Sequence, residues 1–139
     1  MVFMVEIKVL YEGDLHCKAS HRPSGVTIET DAPVDNHGKG ESFSPTDLLA
    51  TSLGVCNMTI MGITAQNEGI NLNGSKIRIE KHMSNNLPRR VAKLVVQFEM
   101  AKGIPESKRA LLESAAKNCP VAKSIHPDIK VEYSFNYND

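Results

Sequence analysis

The longest uncharged stretch of the chain constrains its fold most. It runs from residue 48 to residue 67 without Asp, Glu, Lys, Arg or His, and Asp47 and Glu68 bound it. Apolar residues recur in it at helical spacing, at Leu49, Leu53, Cys56, Ile60 and Ile63. This periodicity predicts a helix with Cys56 near its centre, on the apolar stripe.

Both ends of this helix are marked in the sequence. Ser44 offers a capping side chain, Pro45 suits the first helical position, and Gly69 is a usual stop. Roughly 20 apolar residues can span a bilayer. However, polar residues are spread along this stretch, at Thr51, Ser52, Asn57, Thr59, Thr64 and Gln66. We therefore expect a helix buried in a soluble protein.

Length and composition exclude several classes of protein. The chain has 139 residues, which suits one domain over residues 1–139. Lys plus Arg and Asp plus Glu number 16 each, and zero net charge argues against nucleic acid as a partner. Three cysteines, an odd count, argue against a secreted disulfide framework. Early charges at Glu6 and Lys8 do not suit a signal peptide, so we expect a cytoplasmic protein that binds no membrane.

The remaining pattern predicts an α+β fold. Alternating polar and apolar residues predict strands near 3–11, 15–19, 26–30, 76–80, 92–100 and 129–137. Pro105 starts a second helix that carries Cys119 on its inner face, and Pro120 starts a short third helix to about His126. Short turns between strands predict antiparallel pairs. A helix that is apolar over most of its circumference needs cover on several sides, and a second subunit is the simplest source of it.

Two motifs carry a family resemblance. The first comprises three segments: Thr30 to Pro33, residues 38–50 and Leu53 to Cys56. In it, Cys56 follows Pro45 of the Ser44-Pro45 pair by eleven residues. The second is the segment 119–125, which begins Cys-Pro-Val-Ala. Together, in this order, they resemble the osmotically inducible protein C / organic hydroperoxide resistance (OsmC/Ohr) family.

The resemblance implies a fold and an activity. The implied fold is an intertwined homodimer, with antiparallel sheets packed on long central buried helices and two active sites at the subunit interface. The implied activity is thiol-dependent reduction of hydroperoxides, with organic ones preferred over hydrogen peroxide. No metal and no bound organic cofactor are implied. The expected partners are the hydroperoxide and a dithiol reductant, either a lipoyl protein or a thioredoxin-like one.

Such a reaction needs two cysteines. A thiolate cleaves the O–O bond and becomes a sulfenic acid, and a second cysteine condenses with it to a disulfide that a dithiol reduces. Cys56 fits the attacking role and Cys119 the resolving role, since its Cys-Pro junction places the sulfur at a helix start that favours a thiolate. The alternative is that both are packed core residues. Cys17 alternates with Leu15 and Ala19 and is interpreted as structural.

Cys56 also needs a nearby cation. It lies mid-helix, and the helix dipole acts only within about one turn of the helix end. The resemblance implies an arginine from the region between the first strands, and Arg22 is the best match; a solvated turn arginine is the alternative. Arg89 and Arg90 are the competing candidates.

The resemblance also implies a glutamate directly after the helix-starting proline, but Thr46 stands there. Threonine cannot form a bidentate ion pair with arginine. Asp47 and Glu41 are the candidates to replace the glutamate; alternatively, either is a carboxylate that interacts with the helix dipole.

Other classes of function remain open. The five histidines, at 16, 21, 37, 82 and 126, show no metal-ligand spacing, and no Cys-x-x-Cys pair supports a zinc site. The alternatives to a peroxidase are a small-molecule binding protein and a redox sensor of the same fold.

Overall fold

The computed structural model describes residues 3–138, and the chain divides after Leu48 into an N-terminal and a C-terminal compact unit. The strands are β1 (Ile7–Gly13), β2 (His16–His21), β3 (Thr27–Asp31), β4 (Lys76–Met83), β5 (Val91–Met100) and β6 (Lys130–Tyr137). The helices are α1 (Pro45–Asn67), α2 (Glu106–Lys117) and α3 (Pro120–Ser124), with a 3-10 turn at Val34–Asn36. The predicted α+β class is confirmed.

The N-terminal unit is built on an antiparallel sheet in the order β1-β2-β3. The turn between β1 and β2 uses three successive positive φ angles, including 54° at Asp14 and 62° at Leu15. The predicted start of the first strand near residue 3 is wrong. The pairing begins at Ile7, opposite His21, because β2 ends there. Directly after β2, the Arg22 N–H donates to the Glu6 carbonyl at 3.1 Å.

This sheet buries little of its own apolar surface. Among the described residues of the N-terminal unit, Asp31 and Ser44 are buried and no hydrophobic side chain is. Val9 and Leu10 point to opposite faces of β1 and are 66% and 61% exposed. Both faces of the sheet therefore present apolar surface that calls for cover.

The C-terminal unit holds the hydrophobic core. Its sheet has the order β4-β5-β6, and β5 buries alternate side chains, among them Leu94, Val96 and Phe98. The Phe98 ring stacks on Phe135 of β6 with 4.4 Å between centroids. The core is completed by buried residues of α1, α2, the two ends of β5 and the loop segments, namely Ala50, Leu53, Met61, Ala65, Val91, Met100, Ile104, Leu112, Ala116 and Cys119.

One strand pair departs from the expected antiparallel arrangement. β5 pairs with β6 in parallel, with Phe98 opposite Phe135. The chain between them passes through α2 and α3, and a helical crossover of this kind returns the next strand in the same direction. The prediction from short turns holds for β4 and β5, which are antiparallel.

Helix α1 follows the predicted bounds but buries a different stripe. Its buried residues are Ala50, Leu53, Gly54, Asn57, Met61 and Ala65. Cys56 is half-buried beside that stripe, and Ile63 is 52% exposed. Of the predicted stripe, Leu53 is buried, and Leu49, Cys56 and Ile60 are partly buried and pack against the core. The prediction is wrong for Ile63, and the centre of the buried stripe lies about one position further along the chain, at Gly54, Asn57 and Met61.

Helix α1 is also long and apolar enough to cross a membrane, with a mean hydropathy of 1.5 in its most apolar window. One third of that window (33%) is buried within the chain. Length and composition alone do not separate such a span from the core helix of a soluble protein.

Candidate active site

Two of the three cysteines meet in the C-terminal unit. Cys56 lies half-buried on α1, and Cys119, which is 0% exposed, lies directly before α3. Their thiols are within hydrogen-bonding reach of each other. All three cysteines are free thiols, and Cys17 lies on β2 opposite Tyr11 and Thr30. The structure thus brings together the two cysteines that the motifs single out.

The sulfur of Cys119 caps helix α3. The residue has extended backbone angles, and its Sγ accepts a hydrogen bond from the backbone N–H of Ala122 at 3.4 Å. Pro120 occupies the first helical position. The predicted helix start is confirmed, although α3 ends at Ser124 rather than near His126.

Burial dominates the ionisation of Cys119. It raises the pKa of the thiol above 9.0, and the nearby Cys56 thiol raises it further, while the N–H of Ala122 offsets part of this effect. The prediction that the helix start favours the thiolate is therefore wrong in its net result. A single turn of five residues supplies too little stabilisation to outweigh burial.

Asn57 connects the two thiols to the core. Its buried Nδ2 donates to the Ala116 carbonyl at 2.9 Å, to Cys119 Sγ at 3.3 Å and to the Tyr133 hydroxyl at 3.2 Å. Its Oδ1 has no hydrogen-bond partner among residues 3–138. A buried carbonyl without a partner lowers the free energy of unfolding by about 1–3 kcal/mol. Burial of the Asn57 amide in this core is therefore destabilising.

Tyr133 of β6 completes the set of polar groups, which we call the thiol cluster: Cys56, Asn57, Cys119 and Tyr133. Burial raises the pKa of the Tyr133 hydroxyl above 10.0, the Asn57 hydrogen bond lowers it, and both thiols raise it. Sequence reasoning missed Asn57 and Tyr133. The helical spacing of Leu53, Asn57 and Met61 was the available signal for Asn57.

The candidate arginines have ordinary surface contacts. Arg22 lies in the predicted turn after β2, its Nε 3.3 Å from a carboxylate oxygen of Glu6, and its side chain is 56% exposed. Arg90 donates to the Pro88 carbonyl at 2.7 Å, and Arg89 beside it is exposed. The activating role of Arg22 stays a prediction.

The candidate carboxylates lie around the start of α1. Asp47 and Ser44 form a capping box: the Ser44 N–H donates to Asp47 Oδ2 at 2.9 Å, and the Asp47 N–H donates to Ser44 Oγ at 3.1 Å. Asp47 thus stabilises the helix end, as the alternative interpretation has it. Glu41 is exposed in the bend before α1, and Thr46 Oγ1 lies 3.2 Å from Ser44 Oγ.

A separate polar cluster lies on the N-terminal sheet. Glu12, His16 and Glu29 have potential ligand atoms within 4.8 Å of one another, a group unique among residues 3–138. His16 Nδ1 donates to buried Asp31 at 2.6 Å, and this bond, with that to Glu29, raises the His16 pKa. The sequence did not reveal this spacing because strand pairing creates it, with His16 opposite Asp31.

The comparison with known families defines the class of protein. The sequence model of the family described as "OsmC-like protein" matches residues 38–134. This range contains the second motif, the first motif from residue 38 onward and the whole thiol cluster. The chain therefore belongs to the OsmC-like family. None of the curated proteins matches the chain.

Solved structures agree with this assignment. A Psychrobacter arcticus protein, named for osmotic stress induction and detoxification response, is 43% identical, with 98% of each chain covered and a TM-score of 0.91. An organic hydroperoxide resistance protein OsmC from Legionella pneumophila is 14% identical, with 98% of each chain covered and a TM-score of 0.77. One named for organic hydroperoxide resistance from Elizabethkingia anophelis is 12% identical, with 99% of each chain covered and a TM-score of 0.78. The latter two show the shared fold.

Proposed function

We propose that the protein is a cysteine-based peroxidase that reduces organic hydroperoxides, and hydrogen peroxide less readily. The observation that carries this proposal is the pairing of two free thiols with unequal exposure. Cys56 is half-buried, whereas Cys119 is fully buried beside it. This difference in exposure supports an attacking role for Cys56 and a resolving role for Cys119.

The reaction has three steps. The Cys56 thiolate attacks the distal peroxide oxygen, the O–O bond breaks, and the alkoxide leaves as an alcohol after taking up a proton. The resulting sulfenic acid condenses with Cys119 to a disulfide and releases water. A dithiol reductant, lipoyl or thioredoxin-like, then restores both thiols by exchange. The cycle needs no metal or organic cofactor.

The family supports this activity. Two structures of the same fold belong to proteins named for organic hydroperoxide resistance. Three free thiols suit a reducing compartment, and we place the protein in the cytoplasm. In this proposal Arg22 is the cation that favours the Cys56 thiolate, held by Glu41 or Asp47.

Thiol counting tests the proposal. Reduced protein is mixed with cumene hydroperoxide, and free thiols and residual peroxide are measured together. We expect rapid loss of two of the three thiols, the same loss of two in Cys17→Ser, and no peroxide consumption in Cys56→Ser. Unchanged thiols in the wild type, or wild-type consumption in Cys56→Ser, would rule out the peroxidase.

A non-catalytic small-molecule binder is the second candidate. A cavity of about 410 Å³ lies along α1 and β4 and is lined by Val55, Met58, Ile77 and Ile79, among others, without Cys56. An apolar cavity away from the thiols suits binding without turnover. Two results together would favour this candidate. The thiols would remain free after peroxide treatment, and an apolar fluorescent probe would bind to the wild type but not to Val55→Asp.

A further inference from the structure

We propose that Asn57 is the residue that orients and activates the resolving sulfur of Cys119, by donating an amide N–H to the thiolate as it attacks. This inference rests on the proposed function for its purpose. Its geometry belongs to the reduced protein and can be tested without peroxide.

The sulfur of Cys119 has two N–H donors from two different helices. Asn57 Nδ2 approaches from α1 at 3.3 Å, and the backbone N–H of Ala122 approaches from α3 at 3.4 Å. Hydrogen bonds to an ionised acceptor are stronger than those to a neutral one. Burial opposes the thiolate, and the backbone N–H groups of Ala122 and Val121 lower the pKa of Cys119. The amide of Asn57, 3.3 Å from the sulfur, adds a side-chain donor from α1.

The orientation of the amide is fixed by the backbone. Nδ2 lies 2.9 Å from the Ala116 carbonyl, which can only accept. The reverse orientation would set two carbonyl oxygens against each other and forfeit this bond. Ala116 therefore holds the N–H side of Asn57 toward Cys119, and Oδ1 remains without a partner among the described residues.

The amide has two N–H groups and three acceptors. With one N–H bound to Ala116, Cys119 and Tyr133 share the other, at 3.3 Å and 3.2 Å. When Cys119 ionises, the charged sulfur becomes the better acceptor and attracts this N–H from the Tyr133 hydroxyl. Tyr133 is thus a competitor whose removal should help the thiolate.

The step that Asn57 assists is balanced in atoms and electrons. The Cys119 thiolate attacks the Cys56 sulfenic sulfur, an S–S bond forms and the S–O bond breaks. Hydroxide leaves and combines with the proton that Cys119 released, which gives water. Asn57 neither gains nor loses a proton and acts only through its hydrogen bond.

The test uses Cys119 as the single thiol. In a Cys17→Ser, Cys56→Ser background, the rate of iodoacetamide alkylation is followed against pH. We expect Asn57→Leu to lower the thiolate fraction at a given pH about tenfold, a shift of about one pH unit. Tyr133→Phe should shift the profile in the opposite direction. Met61→Leu, on the same buried stripe, is the packing control and should leave it in place.

Two outcomes would overturn the inference. One is an unchanged profile in folded Asn57→Leu. The other is a pH profile of alkylation in Tyr133→Phe that is unchanged or shifts in the same direction as in Asn57→Leu. The Tyr133→Phe variant also keeps the inference testable if Asn57→Leu does not fold. In the protein with Cys56 intact, Asn57→Leu should also increase over-oxidation of Cys56. Because alkylation involves no peroxide, the alkylation profile remains interpretable even if the peroxidase proposal fails.

Discussion

Cys56 and Asn57 are neighbours in the chain, but their side chains have different surroundings. One step along a helix turns the side chain by about 100°. The thiol of Cys56 therefore lies at the edge of the buried stripe, whereas the amide of Asn57 lies within it. This single step places a reachable thiol beside a buried amide that contacts Cys119.

The role of Arg22 can be tested by its removal. If it supplies the cation for Cys56, Arg22→Ala should slow Cys56 alkylation by roughly tenfold at neutral pH. Stability should change by less than about 1 kcal/mol, since its ion pair with Glu6 is exposed. Alkylation kinetics and denaturant unfolding measure the two effects. Lys18→Ala, which removes an exposed cation from β2, serves as the matched control. An unaltered rate in Arg22→Ala would make Arg22 a surface turn residue, and Arg89 and Arg90 would be the next candidates.

For individual residues, the sequence predicted part of the candidate site. Cys56 and Cys119 were identifiable because both lie in motifs and at helical positions. Tyr133 was not, because its contact with Asn57 depends on β6 packing next to α1, and no local pattern carries that information. The net effect on the Cys119 pKa was also beyond the sequence, since it depends on how completely the sulfur is buried.

Among the elements, α1 shows how local signals determine a helix. Ser44 and Asp47 satisfy each other's backbone N–H groups, and the helix begins at Pro45 as predicted. Its buried stripe differs from the predicted one because Gly54 and Asn57, which lack large apolar side chains, face the core. The parallel β5–β6 pair was missed because pairing across a helical crossover leaves no periodic signal in either strand.

The capping box should contribute measurable stability. Asp47→Ala removes the acceptor for the Ser44 N–H and should lower the free energy of unfolding by about 1 kcal/mol, within roughly 0.5–2. Urea unfolding followed by circular dichroism measures this. Glu41→Ala, in the exposed bend before the helix, should stay within about 0.5 kcal/mol. Equal effects of the two substitutions would contradict the capping assignment.

Two glycines of α1 provide an internal comparison. A Cβ at Gly54 would lie 2.3 Å from Ile79 Cδ1 and 3.2 Å from its Cγ1, whereas one at Gly62 would meet no atom within 4 Å. Gly62→Ala should therefore stabilise the helix by about 0.5–1 kcal/mol. Gly54→Ala should lower stability by about 1–3 kcal/mol, because the end of Ile79 must move. Thermal unfolding compares them, and a Gly54→Ala protein as stable as Gly62→Ala would contradict the close approach to β4.

For the whole molecule, the exposed apolar surface needs an explanation. Val55 and Ile63 of α1 and several residues of β1 and β3 are exposed in the single chain. In each of the two units, large apolar side chains are thus left without cover by the chain itself. A second copy of the chain would cover them, and the family resemblance implies such a homodimer.

The homodimer is tested by mass in solution. Light scattering at micromolar concentration should give twice the chain mass of 15.3 kDa. Leu10→Glu, on the exposed face of β1, should weaken association because it places a charge in the interface. Lys102→Glu, in the exposed turn after β5, is the control for a change of charge on an exposed polar side chain. A stable monomer in the wild type would contradict both the homodimer and a site that depends on it.

The central claim is that Cys56 and Cys119 form one redox pair, and peptide mass spectrometry after peroxide treatment tests it most directly. With one equivalent of cumene hydroperoxide, the wild type should contain a Cys56–Cys119 disulfide within one chain. With excess peroxide, Cys119→Ser should accumulate sulfinic acid at Cys56, because no thiol resolves its sulfenic acid. A disulfide that involves Cys17, or equal over-oxidation of Cys56 with and without Cys119, would contradict the claim.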